Sequence, residues 1–555
     1  MNRHRGTVCL LLFIAAVVFG LGINWGLPTR QSDRYLIGPD GHGLRLEPLT
    51  SRVPEVDASH GADVVDPSGP SDQPTSLNRT DADAAKILCR YRLYSFQPDE
   101  MITFRSLSAM KPSKGDFDPR LYQYGGLWIY PVGAILEFAG HVGLLQLTDR
   151  SLYIADPELF GKFYIAARAY SAAWGLVAVW AVFVLTRRLT GPSLFASAMA
   201  ALAFIFMPVV IDMAHEAKPH LAGTALILLA ILAADNYTKN KSSKWLWITG
   251  ALCGAAAGMV LWAAISLAVL VALACLSPGR RLRIFLRGAF AALIIYCISN
   301  PYVPIHLFRD PAALRGNLGN TSAMYSFGRP DLALLNGIEL LALGTGPALL
   351  IVGLIAHAKL FRNQTALQRI LLITAAAMLI PFFLFAAGKP AEYARFALVP
   401  DTALLIAALV WCERRHLQSL AILVVTATAV YGVSYVAGFI HDSGKYQDTT
   451  RAQVAATLEH WLTDWNAHGA DPANADAKHS LRPAILVYLD PAPFSLPPVD
   501  LDGWNIVRLP KGFQAPFGLI VTPYEQGFSL DPEKTPISWA NKGFQITNRL
   551  RQGTH

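Results

Sequence analysis

The chain has 555 residues, of which 53% are apolar and only 15% are charged. Soluble globular proteins carry about 25% charged residues, so this composition excludes an ordinary soluble domain and indicates a protein that crosses a membrane many times. The net charge of +8 arises largely from basic clusters in short loops between apolar runs, so no nucleic-acid partner is predicted. The six cysteines form no close pair, and neither a disulfide framework nor a metal-ligand spacing is indicated.

Residues 1–27 begin with a basic segment and continue as an apolar run. Arg3 and Arg5 precede the run, which predicts a first transmembrane helix with a cytoplasmic N-terminus. A cleaved signal peptide is the alternative interpretation, and both place residue 28 outside the cytoplasm.

Residues 28–162 are predicted to form an extracytoplasmic loop with interfacial helices. Its first part, 28–90, is rich in Gly, Pro, Asp and Ser and is expected to be partly disordered. Asn78-Arg-Thr80 within it is a glycosylation sequon, which has meaning only in a eukaryotic secretory pathway.

Residues 163–440 are predicted to be a multi-span transmembrane domain. A span needs about 20 residues, so the long run at 245–277 is interpreted as two short spans, which places every basic cluster on the cytoplasmic side. The run at 122–147 is expected to lie at the outer interface. The other apolar runs are 163–186, 192–211, 219–235, 284–299, 334–357, 370–387, 396–411 and 416–439. The predicted fold class is an α-helical polytopic membrane protein with about 11–13 spans.

The tail, 441–555, is polar and is predicted to be a small soluble α/β domain outside the cytoplasm. Apolar residues recur at helical spacing over 451–465. Short runs rich in β-branched residues between Pro and Gly predict strands near 484–489, 504–508 and 519–522.

One acidic segment stands out between the apolar runs. Asp99 and Glu100 follow Pro98, and a second acidic pair, Asp116 and Asp118, comes later in the same loop. A carboxylate in hydrocarbon costs several kcal/mol, so these groups are expected in water or at the headgroups. An aromatic run follows at Tyr122, Tyr124, Trp128 and Tyr130, and it is interpreted as an interface belt or as a platform for a sugar.

The order of these motifs resembles a known family. Pro98-Asp99-Glu100 lies in an outer loop, Asp118-Pro119 and the aromatic run follow, and Arg168 opens a helix that ends in Arg187-Arg188-Leu-Thr-Gly191. This order is similar to that of the GT-C fold polyprenyl-phosphate-sugar glycosyltransferases, a superfamily that includes protein O-mannosyltransferases and bacterial aminoarabinose transferases.

The resemblance implies an inverting sugar transfer outside the membrane, from a polyprenyl-phosphate donor to a protein, lipid or glycan acceptor. In the family an acidic residue of the first loop acts as the base or positions the acceptor. Asp99 matches that position, with Glu100 beside it. Asp33, which is nearer to the first span, and Asp118 are the other acidic candidates.

The chemistry of such a transfer also requires cations. Arg or Lys must stabilise the charge that develops on a leaving phosphate. Candidates on the predicted outer face are Arg105, Lys218, Lys389 and Arg395, with His220 near Lys218. Lys389 and Arg395 fall in one short outer loop at a helix start.

Each pattern has a purely structural alternative. Pro98 and the carboxylates after it are favoured at a helix start, and Asp116 and Asp118 are common in turns. Lys389 and Arg395 would also serve as anchors at the membrane boundary. The stretch from His215 to His220 is interpreted as a solvated loop, because its spacing matches no zinc motif; no cofactor or metal is predicted.

These observations predict a glycosyltransferase in a bacterial inner or plasma membrane, with its active site and C-terminal domain outside the cytoplasm. A lipid or solute transporter or flippase is the alternative, although transporters place ionisable residues inside their spans. The nearest such residue in this reading is Asp212, at a helix end. A non-catalytic assembly subunit is a third possibility.

The predicted topology is directly testable with reporter fusions. Because every basic cluster aligns on one side, fusions behind these clusters should report the cytoplasm, and a fusion after Tyr446 should report the outside. The cytoplasmic fusion sites are Arg188, Lys244, Arg287, Lys359 and Arg415. A cytoplasmic signal at Tyr446 would refute the topology.

Overall fold

A computed structural model of the protein describes most of the chain. The described residues are 2–37, 75–191, 193–324, 330–360, 364–389, 391–468, 483–487, 493, 496–509, 519–523, 538–541 and 544–548. Most of the segment predicted to be partly disordered, 28–90, therefore lies outside the described residues.

The chain divides into two compact units, each made of three stretches. The first unit comprises Met1–Ile23, Thr103–Leu136 and Ala166–Ile440. The second unit comprises Asn24–Ile102, Glu137–Ile165 and His441–His555.

Apolar helices dominate the structure and confirm the predicted helical membrane fold. Among the described residues, six helices are long and apolar enough to cross a membrane. They are Pro157–Thr190, His220–Asn240, Arg281–Ser299, Ala366–Phe385, Ala391–Arg414 and Gln418–Asp442. Two shorter apolar helices, His4–Gly20 and Leu261–Cys275, are also present, and the total of 11–13 spans stays a prediction.

Two apolar runs that were each predicted as one span are bent helix pairs. Leu194–Phe206 and Pro208–Ala214 meet at an angle of 61°, and Pro330–Thr345 and Pro347–Leu360 meet at 108°. Proline lacks the N–H that would continue a helical ladder, so each second helix starts afresh at its proline. At the sharper bend Gly346 has a φ of 83°, a left-handed conformation that glycine adopts without steric cost.

The run at 245–277 consists of two helical segments, as expected. Ser243–Met259 ends at Val260, which is extended, and a 3-10 helix, Leu261–Leu267, continues into Ala268–Cys275. The first helix runs in full over Asn2–Gly20. The helices of the first unit not yet named are Tyr302–Arg309 and Pro311–Met324, with short 3-10 helices at Pro112–Lys114 and Ala391–Ala397. Two further helices are Met101–Ala109 and Gly126–His141.

Three glycines at intervals of four residues line one face of the Ser243–Met259 helix. A Cβ atom at Gly250 would lie 2.2 Å from the Gly288 carbonyl oxygen, and one at Gly254 would lie 2.2 Å from that of Ala292. A Cβ at Gly258 would lie 2.4 Å from Ser299 Oγ. The helix backbone therefore packs directly on Arg281–Ser299, in the manner of small-residue interfaces between membrane helices.

A six-stranded sheet lies in the second unit, within the described residues. Its strands are β1 (Thr75–Ser76), β2 (Ala484–Val487), β3 (Asn505–Arg508), β4 (Leu519–Pro523), β5 (Ser538–Asn541) and β6 (Phe544–Asn548). The order is β1-β3-β2-β4-β6-β5; β2 pairs in parallel with β3 and β4, and the other pairs are antiparallel. The predicted helix is also present, as Thr450–His468, so the small α/β fold of the tail is confirmed.

The core of the second unit joins the tail to residues from the outer loop. Leu88 of the Asp81–Leu93 helix packs in one apolar cluster with Leu458, Ile485 and Trp504. The unit also contains Asp33–Leu36 and Arg150–Ala155, with 3-10 helices at Arg30–Ser32, Pro98–Glu100 and Tyr446–Asp448.

Asn78 fastens β1 to the tail through its side-chain amide. The Nδ2 group donates to the carbonyl oxygens of Leu501 and Trp504 at 2.8 and 2.7 Å, and Oδ1 accepts from the Ile506 N–H at 2.9 Å. The side chain of this sequon residue is therefore buried and fully engaged.

The glycine face predicts a position-specific packing defect. Gly254→Leu should lower the free energy of unfolding by about 1–3 kcal/mol or more, because the added carbons meet backbone that cannot move aside. Thermal unfolding in detergent measures the effect. Ala251→Leu, at a partly exposed position of the same helix, is the matched control and should shift stability by no more than about 0.5 kcal/mol. Equal melting temperatures for both variants would contradict the interface.

Candidate functional site

The segment from Lys111 to Tyr122, in the first unit, is a tight loop built on aspartates. Lys111 and Asp116 form an isolated antiparallel bridge. Asp116 Oδ1 accepts from the Asp118 N–H at 3.0 Å, and Asp118 Oδ1 accepts from the Arg120 N–H at 3.0 Å. These aspartates therefore have turn roles, one of the interpretations offered by the sequence.

Asp118 is also the centre of a buried polar network. Its Oδ2 atom lies 2.6 Å from His306 Nε2 and 3.0 Å from Arg120 Nη1. Its Oδ1 atom accepts from the Tyr122 hydroxyl at 2.9 Å. The carboxylate is 1% exposed, and these partners compensate the loss of water around it.

Two further contacts hold this loop in place. Asn317 Oδ1 accepts from the Tyr122 N–H at 3.2 Å, and the Tyr302 hydroxyl accepts from the Phe117 N–H at 2.9 Å. Burial, and after it the negative charge of Asp118, raise the pKa of the Tyr122 hydroxyl, so this hydroxyl stays a donor at neutral pH. Nothing in the sequence marked His306 or Asn317, since both are single residues nearly two hundred positions away.

A second cluster in the first unit gathers two cations around carboxylates. Lys218 Nζ lies 3.1 Å from Glu216 Oε2 and 3.9 Å from Glu392 Oε2. Arg395 Nη1 lies 3.4 Å from the same Glu392 oxygen. Lys218 is 0% exposed and Arg395 is 3% exposed, so both positive charges are held inside the protein.

Both cations stand just before the start of a long helix. Lys218 precedes His220–Asn240, and Arg395 lies in the 3-10 helix Ala391–Ala397 that leads into Leu398–Arg414. Helix N-termini carry partial positive charge and free N–H groups, which favour anions. The arrangement therefore concentrates positive potential beside Glu392.

The expectation of a solvated loop from His215 to His220 was wrong. All of its polar side chains are buried, because backbone and aromatic groups surround them. The two ring nitrogens of His215 lie 2.8 Å from the Ile211 carbonyl oxygen and 2.9 Å from that of Leu21, and the ring stacks on Phe439 at 4.3 Å. Ser171 Oγ donates to the Met213 carbonyl at 2.7 Å, beside the same turn.

Aromatic rings enclose the cation cluster. The Arg395 guanidinium lies over the rings of Tyr393 and Phe396 at 5.2 and 5.0 Å, and Lys389 Nζ lies over Tyr393 at 5.1 Å. His220 meets Phe396 edge-on at 5.2 Å. Such cation–aromatic contacts stabilise buried positive charge. Lys389 and Arg395 therefore share the ring of Tyr393.

The predicted aromatic platform is divided among different surroundings. Tyr122 bonds to Asp118, while Tyr124 lies 6.3 Å from the His220 ring and so belongs beside the cation cluster. Trp128 is a core residue, fully buried, with its indole N–H donated to Thr103 Oγ1 at 2.9 Å. Its ring therefore presents no accessible face to a sugar in this structure. Arg105 is partly exposed on the Met101–Ala109 helix.

The other predicted carboxylates lie in the second unit and differ in their surroundings. Glu100 is fully buried and accepts a hydrogen bond from Ser95 Oγ. Asp33 forms an ion pair with buried Arg92; burial raises the pKa of Asp33, and the opposing effect of the Arg92 charge is smaller. Asp99 is partly exposed, in the 3-10 helix Pro98–Glu100. Of the adjacent pair, Asp99 is thus the carboxylate that solvent reaches.

These features define a class of protein: a bundle of apolar helices that buries a lysine, an arginine and their carboxylates at two helix starts. Residues 157–303 match the family model described as dolichyl-phosphate-mannose-protein mannosyltransferase. This match contains Lys218 and His220, and it confirms the resemblance drawn from the sequence. Over these residues the chain is similar to a family of membrane-embedded glycosyltransferases.

Several solved structures resemble the chain at low sequence identity. ArnT from Cupriavidus metallidurans bound to undecaprenyl phosphate shows 15% identity and a TM-score of 0.44, over 99% of this chain and 98% of that chain. The apo oligosaccharyltransferase of Archaeoglobus fulgidus shows 13% identity and a TM-score of 0.37, over 80% and 62% of the two chains. AglB from Archaeoglobus fulgidus, in complex with an inhibitory peptide and a dolichol-phosphate, shows 13% and 0.38, over 84% and 64%. These scores describe a likeness and assign no residue. No curated protein sequence matches the chain.

The Asp118 network predicts a local loss of order on substitution. Asp118→Asn keeps an oxygen for the Arg120 N–H but removes the charge that pairs with His306 and Arg120, at a cost of about 1.5–3 kcal/mol. Faster hydrogen exchange of the amides at 116–122 is the expected result. Asp149→Asn, at an exposed helix start where the side chain makes no capping bond, is the control and should leave those amides unchanged. If those amides exchange at the wild-type rate in Asp118→Asn, the prediction is wrong, and the contacts with Asn317 and Tyr302 are enough to hold the loop in place.

Proposed function

We propose that the protein transfers a sugar from a polyprenyl-phosphate donor to an acceptor outside the cytoplasm, with inversion at the anomeric carbon. The observation that carries this proposal is the buried cluster in which one oxygen of Glu392 lies near both Lys218 and Arg395. The family match over 157–303, which includes Lys218, supports it.

The cluster has the chemistry that a donor phosphate requires. A glycosyl phosphodiester carries one negative charge, and its leaving phosphate gains another as the sugar–oxygen bond breaks. Lys218 supplies a compact charge, whereas Arg395 supplies a planar fork of N–H donors that suits phosphate oxygens. Because both cations are already desolvated, their attraction for a developing charge is strong and requires little reorganisation.

In this proposal the Glu392 carboxylate occupies the position that the donor phosphate takes when it binds. It is the more exposed of the two glutamates of the cluster, and its Oε2 atom occupies the space between the two cations. A phosphate that approaches Lys218 and Arg395 would take over these contacts and release Glu392 toward solvent. Glu216, which is almost fully buried, would remain as the partner of Lys218.

For the general base we propose Asp99. An acceptor hydroxyl loses its proton as its oxygen attacks the anomeric carbon, and a carboxylate that solvent and substrate can reach is suited to take it. Glu100 accepts a hydrogen bond from Ser95, and Asp33 forms an ion pair with Arg92, so we assign positioning roles to both carboxylates. The acceptor class follows from the family resemblance as a protein, lipid or glycan. We place the reaction at the outer face of a bacterial inner or plasma membrane.

A transporter or flippase is the alternative function, and one observation favours it. Two spans are broken at prolines, and transporters often form their substrate sites at such breaks. Transfer of radiolabelled sugar from a polyprenyl phosphate by purified protein in detergent separates the two, because a transporter has no transferase activity.

If Arg395 binds the donor phosphate, a substitution that keeps its positive charge should still lower the transfer activity. Arg395→Lys should reduce transfer by one to two orders of magnitude and weaken donor binding, because an ammonium group cannot reproduce two parallel N–H···O bonds. Radiolabelled sugar transfer and donor titration measure both effects. Arg283→Lys, at an exposed position of Arg281–Ser299, is the matched control and should be active. Normal turnover in a folded Arg395→Lys variant would remove this residue from the site.

The base assignment is tested by isosteric amides. Asp99→Asn should lower the transfer rate by about 10²–10⁴-fold while folding and donor binding persist, since Asn serves a helix start nearly as well as Asp. Glu100→Gln should mainly lower stability, because its buried hydrogen bond loses charge assistance. Asp33→Asn tests the carboxylate nearer to the first span. An inactive Asp33→Asn beside an active Asp99→Asn would transfer the role to Asp33.

A further inference from the structure

One carboxylate of the first unit is fully buried in the first turn of a predicted span. Asp401 belongs to the Leu398–Arg414 helix and is 0% exposed. Within the described part of the chain, neither of its side-chain oxygens has a hydrogen-bond partner, and no lysine, arginine or histidine forms an ion pair with it. This residue was not selected from the sequence, where it is one aspartate in an apolar run.

The carboxylate lies at the place where a broken span ends. A Cβ atom at Gly344 would be 2.9 Å from Asp401 Oδ2 and 3.5 Å from Val209 Cβ. Gly344 is in the last turn of Pro330–Thr345, directly before the bend of 108°, and Val209 is in the first turn of Pro208–Ala214, directly after the bend of 61°. Asp401 is thus close to both interruptions.

The first turn of Leu398–Arg414 favours an anion, but the end of Pro330–Thr345 that meets Asp401 opposes one. The C-terminal end of a helix carries partial negative charge and carbonyl oxygens that lack helical partners. Pro347 has no N–H, so the Leu343 carbonyl has no donor at the α-helical position. Because no hydrogen-bond donor compensates the buried carboxylate of Asp401, it must be neutralised, either by a proton or by a bound cation.

The end of Pro330–Thr345, next to Gly344, also carries oxygen atoms. Thr345 is fully buried, and its hydroxyl contacts only acceptors, the carbonyl oxygens of Leu341 at 2.8 Å and Gly346 at 3.1 Å. Its lone pairs are not used in either contact. Carboxylate, hydroxyl and main-chain carbonyl oxygens together are the ligand set of hard monovalent cations at broken helices.

We propose that Asp401 and the interrupted end of Pro330–Thr345 form a binding site for one monovalent metal cation of the Na⁺ class. One cation neutralises the single carboxylate, so no net charge is left in the apolar interior. The cation holds the two broken spans against Leu398–Arg414 and so acts as a structural tie, separate from the Lys218 and Arg395 cluster. The proposal does not depend on the sugar-transfer activity.

Thermal unfolding of the full-length protein in detergent tests the site. NaCl is replaced stepwise by N-methylglucamine chloride at constant ionic strength and constant pH. A cation that binds only the folded chain raises the melting temperature. Once the cation concentration exceeds the dissociation constant, the rise is proportional to the logarithm of that concentration. The wild-type protein should show this rise, and Asp401→Asn should show none. Potassium and lithium series at the same ionic strength establish which cation fits.

A second variant keeps the test decisive if Asp401→Asn does not fold. Gly344→Ala retains the carboxylate but crowds Oδ2, so it should shift the Na⁺ response to concentrations at least tenfold higher. Gly316→Ala, where nothing lies within 4 Å of the added carbon, is the control and should respond like the wild type. A wild-type melting temperature that ignores every alkali cation, or that depends on pH alone, would overturn the metal site. An unchanged Na⁺ response in either site variant would do the same.

Discussion

The contact on which the candidate site depends is the one Glu392 makes with two buried cations. A lysine and an arginine removed from water are tolerated only where carboxylates and aromatic faces replace the lost hydration. Glu216 and Glu392 supply the carboxylates, and Tyr393 and Phe396 supply the rings. This requirement explains why the two short connections before His220–Asn240 and Leu398–Arg414 are packed inside the protein. It also explains how a loop rich in charge lies in a chain that is otherwise apolar.

Much of the helical architecture follows from the sequence. Apolar run length located most of the long helices, and run length together with the basic clusters predicted two segments inside 245–277. In the tail, β-branched runs located β2, β3 and β4 and helical spacing located Thr450–His468. These signals are local, because each element's own residues carry its pattern.

The features that the sequence did not reveal depend on distant partners. The strand β1 has only two residues, too few to show the alternating pattern of a strand, and it pairs with β3 more than four hundred positions later. The bend at Gly346 lies inside a continuous apolar run, and hydropathy does not register a change of direction. Lys218 and Arg395 were selected from the sequence as candidate cations, but nothing in the sequence indicated that Glu392 lies near both, since only the folded chain brings the three together. The expected solvated loop at 215–220 failed for the same reason: polarity along the chain does not report what packs around it.

The hydrogen bonds of the Asn78 amide determine whether this sequon can be glycosylated once the second unit has folded. Its nitrogen is the atom to which an oligosaccharide would be joined, and in the folded second unit that nitrogen donates to two carbonyl oxygens inside the domain. A glycan attached there would prevent β1 from joining the sheet. In a eukaryotic host, modification at this sequon and completion of the sheet are therefore competing events. The fraction of protein glycosylated at Asn78 would therefore increase with the time between synthesis of the outer loop and synthesis of the tail that pairs with it.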